Sequence, residues 1–320
     1  MLLQSCTPQR AVPTAAEQVK RMGRGVNIIG YDPIWKNLAD ARFQERHFKI
    51  IKDGGFQTVR INLHAFRHMD DSTLALEPDW LKTLDWAVDN ALKQDLMVIL
   101  DLHNFNEMAA DPVGLKSKFL AFWRQIAPRY KNASDNLIFE ILNEPNRKLD
   151  AQLWDEYYSE ALVIIREANP TRTVILGPPN WNSINSLNEL QLPEGDRHLV
   201  VTVHYYLPMR FTHQGAPWAG NLVNVSGITW GTDEEKQAVV DDFQRVQEWA
   251  LQHDRPILLG EFGAYEKGDM DSRAAYTAHC ARTAEAMGWA WTYWQFDSDF
   301  IVYNIDNDKW IEPIWKALVP

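Results

Sequence analysis

The chain is poor in cysteine. Cys6 and Cys280 are the only two in 320 residues, which excludes a disulfide framework and leaves a thiolate metal centre without ligands. No run of 18 apolar residues occurs, so no segment reads as a transmembrane helix. Phosphate-binding glycine loops are missing too. Gly23-Arg24-Gly25 opens like a dinucleotide fingerprint, but Ile28 stands at the third glycine and the segment precedes a strand instead of following one. Gly263 and Gly268 have phosphate-loop spacing, but Asp269-Met270 replaces the Lys-Ser/Thr pair. There is no His-Glu-x-x-His, and the nine histidines fall at no metal-ligand spacing. Asp297, Asp299, Asp306 and Asp308 lack the glycine and closing glutamate of a calcium loop. Positive charge is in deficit: Lys+Arg 32 against Asp+Glu 43 gives −11, which argues against a nucleic-acid or anionic-membrane partner. No metal and no cofactor is expected.

Tryptophan is in surplus, with 14 residues. Its flat amphipathic ring suits sugar subsites, although more than half are expected in the core. Hydrophobic residues make up 46% and charged residues 23%, the balance of a globular chain. Residues 1–20 are small and polar and read as a loose tail, leaving 21–320 as one domain. Met1-Leu2-Leu3-Gln4-Ser5-Cys6 is too short for the apolar part of a signal peptide. It matches the end of a bacterial lipoprotein signal, where a small residue precedes a lipid-modified Cys6. An arbitrary start with a free thiol fits as well. Asn132-Ala-Ser and Asn224-Val-Ser match the glycosylation pattern, which chance also produces.

Eight apolar, β-branched-rich runs read as strands: Gly25–Gly30, Thr58–Leu63, Leu96–His103, Leu137–Glu144, Thr173–Gly177, Leu199–Tyr206, Pro256–Glu261 and Ala290–Gln295. Helical periodicity lies between them. Trp80, Leu81, Leu84, Ala87, Val88, Ala91 and Leu92 keep one face, as do Val239, Phe243, Val246, Trp249 and Ala250. Eight alternations in one domain predict an α/β fold with a parallel sheet closed as a single (β/α)8 TIM barrel. A doubly wound open sheet would want the glycine loop that is missing. The segment from Leu207 to Trp230 is the longest between strands and is expected to wall a cleft.

Barrel active sites stand at the C-terminal strand ends, and polar residues gather there. The second strand offers Arg60, the third His103-Asn104, the fourth Asn143-Glu144-Pro145, the sixth His204 and Tyr206, the seventh Glu261 and the eighth Trp294. A glutamate ending a buried apolar run is costly unless it is paired or used. Two of them supply what double-displacement glycoside hydrolysis needs. Glu261, with Arg60 and Tyr206 to stabilise its anion, suits the nucleophile. Glu144, raised by burial and by its negative neighbour, suits the acid/base. Asn143 can bond the sugar 2-hydroxyl, and Trp294 offers a flat face at the cleavage point. Trp35, Trp181 and Trp218 follow the first, fifth and sixth strands and are candidates for outer subsites, with packing as the equal reading for Trp35.

These motifs resemble glycoside hydrolase family 5, in the barrel clan whose catalytic glutamates end strands 4 and 7. The resemblance runs from Gly25 to Pro320. Arg60, His103, Asn143, Glu144, His204, Tyr206, Glu261 and Trp294 each fall where the family keeps a site residue. It departs at Asn104, expected to contact the sugar, where many members carry a second histidine beside the cleavage point. It implies an endo-β-1,4-glucanase acting with retention, with no cofactor, on a β-glucan polysaccharide or oligosaccharide. A mannanase or xyloglucanase on the same site is the alternative. A catalytically dead carbohydrate-binding barrel should have lost one glutamate. The protein is expected to be a monomer, secreted or held at the cell envelope.

Overall fold

The computed structural model describes residues 12–320. Cys6 lies outside them. Eight parallel strands close into a barrel in chain order, as the alternation predicts. They are β1 Arg24–Ile28, β2 Thr58–Leu63, β3 Met97–Leu102 and β4 Leu137–Glu140, then β5 Val174–Leu176, β6 Leu199–Tyr205, β7 Ile257–Phe262 and β8 Ala290–Tyr293. β1 pairs with both β2 and β8, which completes the ring. Nearly every strand residue is buried, because side chains fill the barrel on one face and helices cover the other. The covering helices include Pro78–Lys93, Pro112–Arg129, Ala151–Ala168, Asp233–His253 and Met270–Ala286. The crossover after β5 is different. It has only a short turn and a 3-10 segment, Ile184–Glu189.

Nine of the fourteen tryptophans are buried, so packing accounts for most of the surplus. Trp230, at the end of the long segment after β6, is one of these, set edge-on to Tyr276 at 5.2 Å.

Two local features position the site. β4 stops at Glu140, four residues before Glu144. Ile141 and Asn143 continue with single bonds to Ile175 O at 3.0 Å and Leu102 O at 2.9 Å. The ladder cannot extend further, because β5 has only three residues. Glu144 then takes φ 39°, a left-handed conformation that a non-glycine residue adopts at a cost. The second feature is a bulge between β6 and β7. Val203 pairs with Leu259, but His204 pairs with Glu261, leaving Gly260 over. A Cβ at Gly260 would lie 2.3 Å from Thr202 Oγ1. Only glycine therefore lets the bulge form, and the bulge turns Glu261 to stand beside His204.

Of the tail expected over residues 1–20, residues 1–11 lie outside the described ones, and 15–20 belong instead to a helix, Ala15–Met22. Its start is a capping box: Thr14 Oγ1 accepts from Glu17 N–H at 3.2 Å, and Glu17 accepts from Thr14 N–H at 2.8 Å. Ala15, Val19 and Met22 share one face. They cover the N-terminal mouth of the barrel, packing with Met97, Ile99, Ile138, Ile175, Val200, Leu258 and Ala290. Met22→Ala should therefore cost about 2–5 kcal/mol. The expected result is a thermal midpoint lowered by several degrees with kcat at 25 °C unchanged. A fall in kcat without a fall in midpoint would mean that this helix touches the chemistry.

Candidate active site

Arg60, fully buried on β2, holds the site together. Its Nε donates to Glu140 Oε2 at 2.7 Å and its Nη2 to Glu140 Oε1 at 2.8 Å. Nη1 donates to Glu261 Oε1 at 2.9 Å and to Asn27 Oδ1 at 2.8 Å. Nη2 also donates to Asn143 Oδ1 at 2.7 Å and stands 3.1 Å from Asp101. Burial disfavours a lone charge here, but Asp101 and Glu140 outweigh it and keep the guanidinium protonated.

The two glutamates meet across His204. A carboxyl oxygen of Glu144, one of Glu261 and a ring nitrogen of His204 lie within 4.8 Å of one another. Glu261 takes the Arg60 bond and a second from Tyr206 O–H to Oε2 at 3.0 Å. Glu144 Oε1 has His204 Nδ1 at 2.8 Å and no cation. Burial lifts both carboxyls. Glu144 is pushed up to about 8, with Asp101 and Glu140 adding to the rise against Arg60. Burial takes Glu261 to about 7, with Arg60 favouring its anion against the pull of Glu144. Burial lowers His204 below the usual imidazole range, so its contact with Glu144 is a hydrogen bond of a neutral ring. Those three donors are compact enough to hold a cation, but Arg60 and Tyr206 already occupy Glu261.

His103 Nδ1 bonds Asp101 Oδ2 at 2.6 Å, and burial keeps the ring neutral. Trp294 lies parallel to it, with ring centres 5.5 Å apart, and Tyr31 stands edge-on to Trp294 at 6.4 Å. Asn104 departs from its expected sugar contact. Its Oδ1 accepts from Phe66 N–H at 3.2 Å and its Nδ2 donates to Glu107 at 2.9 Å. Both ends of the fully buried amide are spent within the protein, on the 3-10 turn Ala65–His68 and the helix Phe105–Ala110. Trp35 is also packed away. It is 9% exposed, donates its indole N–H to Ile29 O at 2.5 Å and faces Trp80 at 5.5 Å. Trp181 and Trp218, by contrast, are 43% and 54% exposed.

Asn27, Glu140 and Tyr31 stand at the site without ending a strand run in the sequence. The first two carry a signal of their own. Asn27 lies mid-run in β1 and bonds Gly260 O at 3.1 Å. Glu140 interrupts the apolar run that leads to Glu144, and the cost of a buried charge flags it as strongly as its neighbour. Tyr31, 58% exposed beside the site, has no pattern to give it away.

The family pattern for Cellulase (glycosyl hydrolase family 5) matches residues 19–300. Endoglucanase H of Acetivibrio thermocellus is 33% identical over 98% of the chain, and the chain spans 35% of that protein's length. Among solved structures, the clostridial cellulose synthase subunit Z of Clostridioides difficile is 40% identical. Its TM-score is 0.89, covering 93% of this chain and 100% of that one. Cel5A of Thermotoga maritima, solved in complex with mannotriose and with cellobiose, is 35% identical with a TM-score of 0.91, covering 95% of this chain and 100% of that one. With the barrel and its paired glutamates, the match over residues 19–300 means that the chain belongs to glycoside hydrolase family 5.

Proposed function

We propose that this chain is an endo-acting β-glucanase that cleaves internal β-1,4-glucosidic bonds with retention, Glu261 being the nucleophile and Glu144 the acid/base. The observation that carries the reading is the pair itself. Two carboxyl oxygens lie within 4.8 Å, and one carboxyl group is clamped by a cation and a phenol while the other is not. Retaining enzymes keep the two groups about 5–5.5 Å apart, whereas inverting ones need about 6.5–9.5 Å for a water. Glu261 attacks the anomeric carbon as the glycosidic bond breaks, and Glu144 gives its proton to the departing oxygen. The ester that forms removes the charge beside Glu144, whose acidity rises. Glu144 then takes a proton from the water that attacks the same carbon and frees Glu261. Arg60 holds Asn143 by its oxygen, which leaves the amide N–H free for the sugar 2-hydroxyl. Trp294, His103 and Tyr206 complete the wall of the cleavage subsite, and Trp181 and Trp218 extend the cleft outward.

A neutral polymer suits a chain of −11 net charge, and no metal or cofactor has a part in these steps. The enzyme acts as a monomer outside the cytoplasm. Among the described residues no helix is long and apolar enough to cross a membrane. Mannan is the second reading, because the similar Cel5A was solved with mannotriose. Initial rates on carboxymethylcellulose, mixed-linkage glucan, mannan and xyloglucan rank the substrates. The highest rate is expected on a β-1,4-glucan.

Glu261→Gln should lose at least about 10³-fold in kcat, as removal of a covalent nucleophile does, while long oligosaccharides still bind. Glu144→Ala should regain activity with azide or with a dinitrophenyl leaving group, which needs no proton. Proton NMR of the first product should record the β-anomer, and an α-anomer would sink the assignment.

The pH profile follows from which form each group must take. Below about 7, Glu261 takes up a proton and kcat/KM falls. Above about 8, Glu144 loses its proton and kcat/KM falls again. The basic limb should vanish for dinitrophenyl cellobioside, and its persistence would point to another group as the acid.

Trp181→Ala and Trp218→Ala should each weaken binding of long glucans, by about 1 kcal/mol for one stacking contact, with cellobiose little affected. Equal losses for long and short chains, measured by calorimetry, would mean that the cleft runs elsewhere.

A further inference from the structure

His204 is the one ring between the two glutamates, and its far nitrogen faces Asn182. The chain reaches that point by a strained route. Asn180, Trp181 and Asn182 take φ of 59°, 63° and 52° in succession, in the region L-residues avoid. Such strain persists only where neighbours over-determine it, and it gathers at functional sites. Here the neighbours can be named. Trp181 N–H bonds Pro145 O at 3.1 Å, Asn180 Nδ2 bonds Ser186 Oγ at 2.9 Å, and Ser183 bridges onto β6 at His204. Gly177 makes the room: a Cβ there would lie 2.2 Å from Asn182 Oδ1. Asn182, fully buried, is thus held with Nδ2 3.2 Å from His204 Nε2.

Stability does not account for this amide. Its oxygen is buried with no hydrogen-bond partner, which costs free energy. Its nitrogen does have a chemical use. An amide N–H can only donate, so His204 Nε2 must accept and the single proton of the neutral ring sits on Nδ1. Nδ1 then donates to Glu144 Oε1 at 2.8 Å and lies 3.5 Å from Glu261 Oε2. With Oε1 accepting, the acid proton of Glu144 belongs on Oε2, which has no protein partner among the described residues. In the opposite tautomer a bare Nδ1 would draw that proton to itself, away from the glycosidic oxygen.

We propose that Asn182 is a positioning residue that fixes His204 as its Nδ1–H tautomer and so directs the acid proton of Glu144 toward the leaving group. The consequence for catalysis rests on the reading of Glu144 as the acid, whereas the tautomer itself does not. NMR of the full chain with isotope-labelled histidine reads it directly, the His204 signals being identified by their loss in His204→Gln. The expected result is a protonated Nδ1 and a bare Nε2, and a protonated Nε2 in the neutral ring overturns the proposal. Asn182→Asp puts an acceptor in place of the donor and should bring a proton onto Nε2. kcat/KM on cellotetraose should then fall roughly 10-fold or more, part of the roughly 10²–10⁴-fold that a general acid contributes, while kcat/KM on dinitrophenyl cellobioside stays near the parent value. Equal losses on both substrates overturn the proposal. Should Asn182→Asp fail to fold, the tautomer in the parent protein still decides. If Glu144→Ala is not spared with the dinitrophenyl substrate, the failure lies in the identity of the acid.

Discussion

One buried cation organises the centre of this barrel. Arg60, fully buried, faces Asp101, Glu140 and Glu261, and Glu144 completes a set of four carboxyl groups around a single positive charge. Taking a guanidinium out of water costs several kcal/mol, which only well-formed bonds to carboxylates recover. The neighbouring histidines bring no relief, because burial keeps His103 and His204 neutral. Negative charge therefore exceeds positive, and protons stay on the cluster. Asp101 and Glu140 are both held above the ordinary carboxylate range by burial. Of the two glutamates at the cleft, Glu144 has no bond to Arg60 and is pushed up to about 8, while Glu261, which has one, reaches about 7. The roles proposed for two chemically identical side chains follow from where Arg60 points.

The backbone is bent to serve that arrangement. The bulge at Gly260 sets Glu261 level with His204. The positive φ at Glu144 brings the second carboxyl back toward the barrel axis after β4 has ended. Neither conformation is favourable in isolation. Each persists because the surrounding strands are closed into a ring and packed on both faces, so local cost is carried by the stability of the whole. The left-handed turn at Asn180–Asn182 belongs to the same class.

Much of this was legible in the sequence, and the failures are instructive. Strand periodicity identified the barrel because eight parallel strands bury both faces and read as apolar runs. Glu144 and Glu261 stood out because a charge at the end of such a run needs a reason. Glu140 has the same claim, but its partner Arg60 lies eighty positions away and pairing leaves no local trace. The helix at Ala15–Met22 hid behind its composition, although Thr14 and Glu17 spelled a capping box. Asn104 is buried away from the cleft, and of the two readings open for Trp35 it is packing that the structure bears out, for a common reason. Position after a strand indicates the correct face of the barrel but not whether a side chain points into the cleft or under a loop. Asn182 is the hardest case, because its place depends on three consecutive positive φ angles, and although Asn180 and Asn182 tolerate that region, Trp181 between them gives no sign of it.

The helix over the N-terminal mouth has an orientational consequence. It seals the pole opposite the carboxyl groups, so the polypeptide enters the folded body at the far end from its cleft. Any tether joined upstream of Ala15, whether a lipid, a linker or a companion module, would hold the barrel by its base. The open end would then face outward, presented to a polymer arriving from beyond the surface to which the base is fixed.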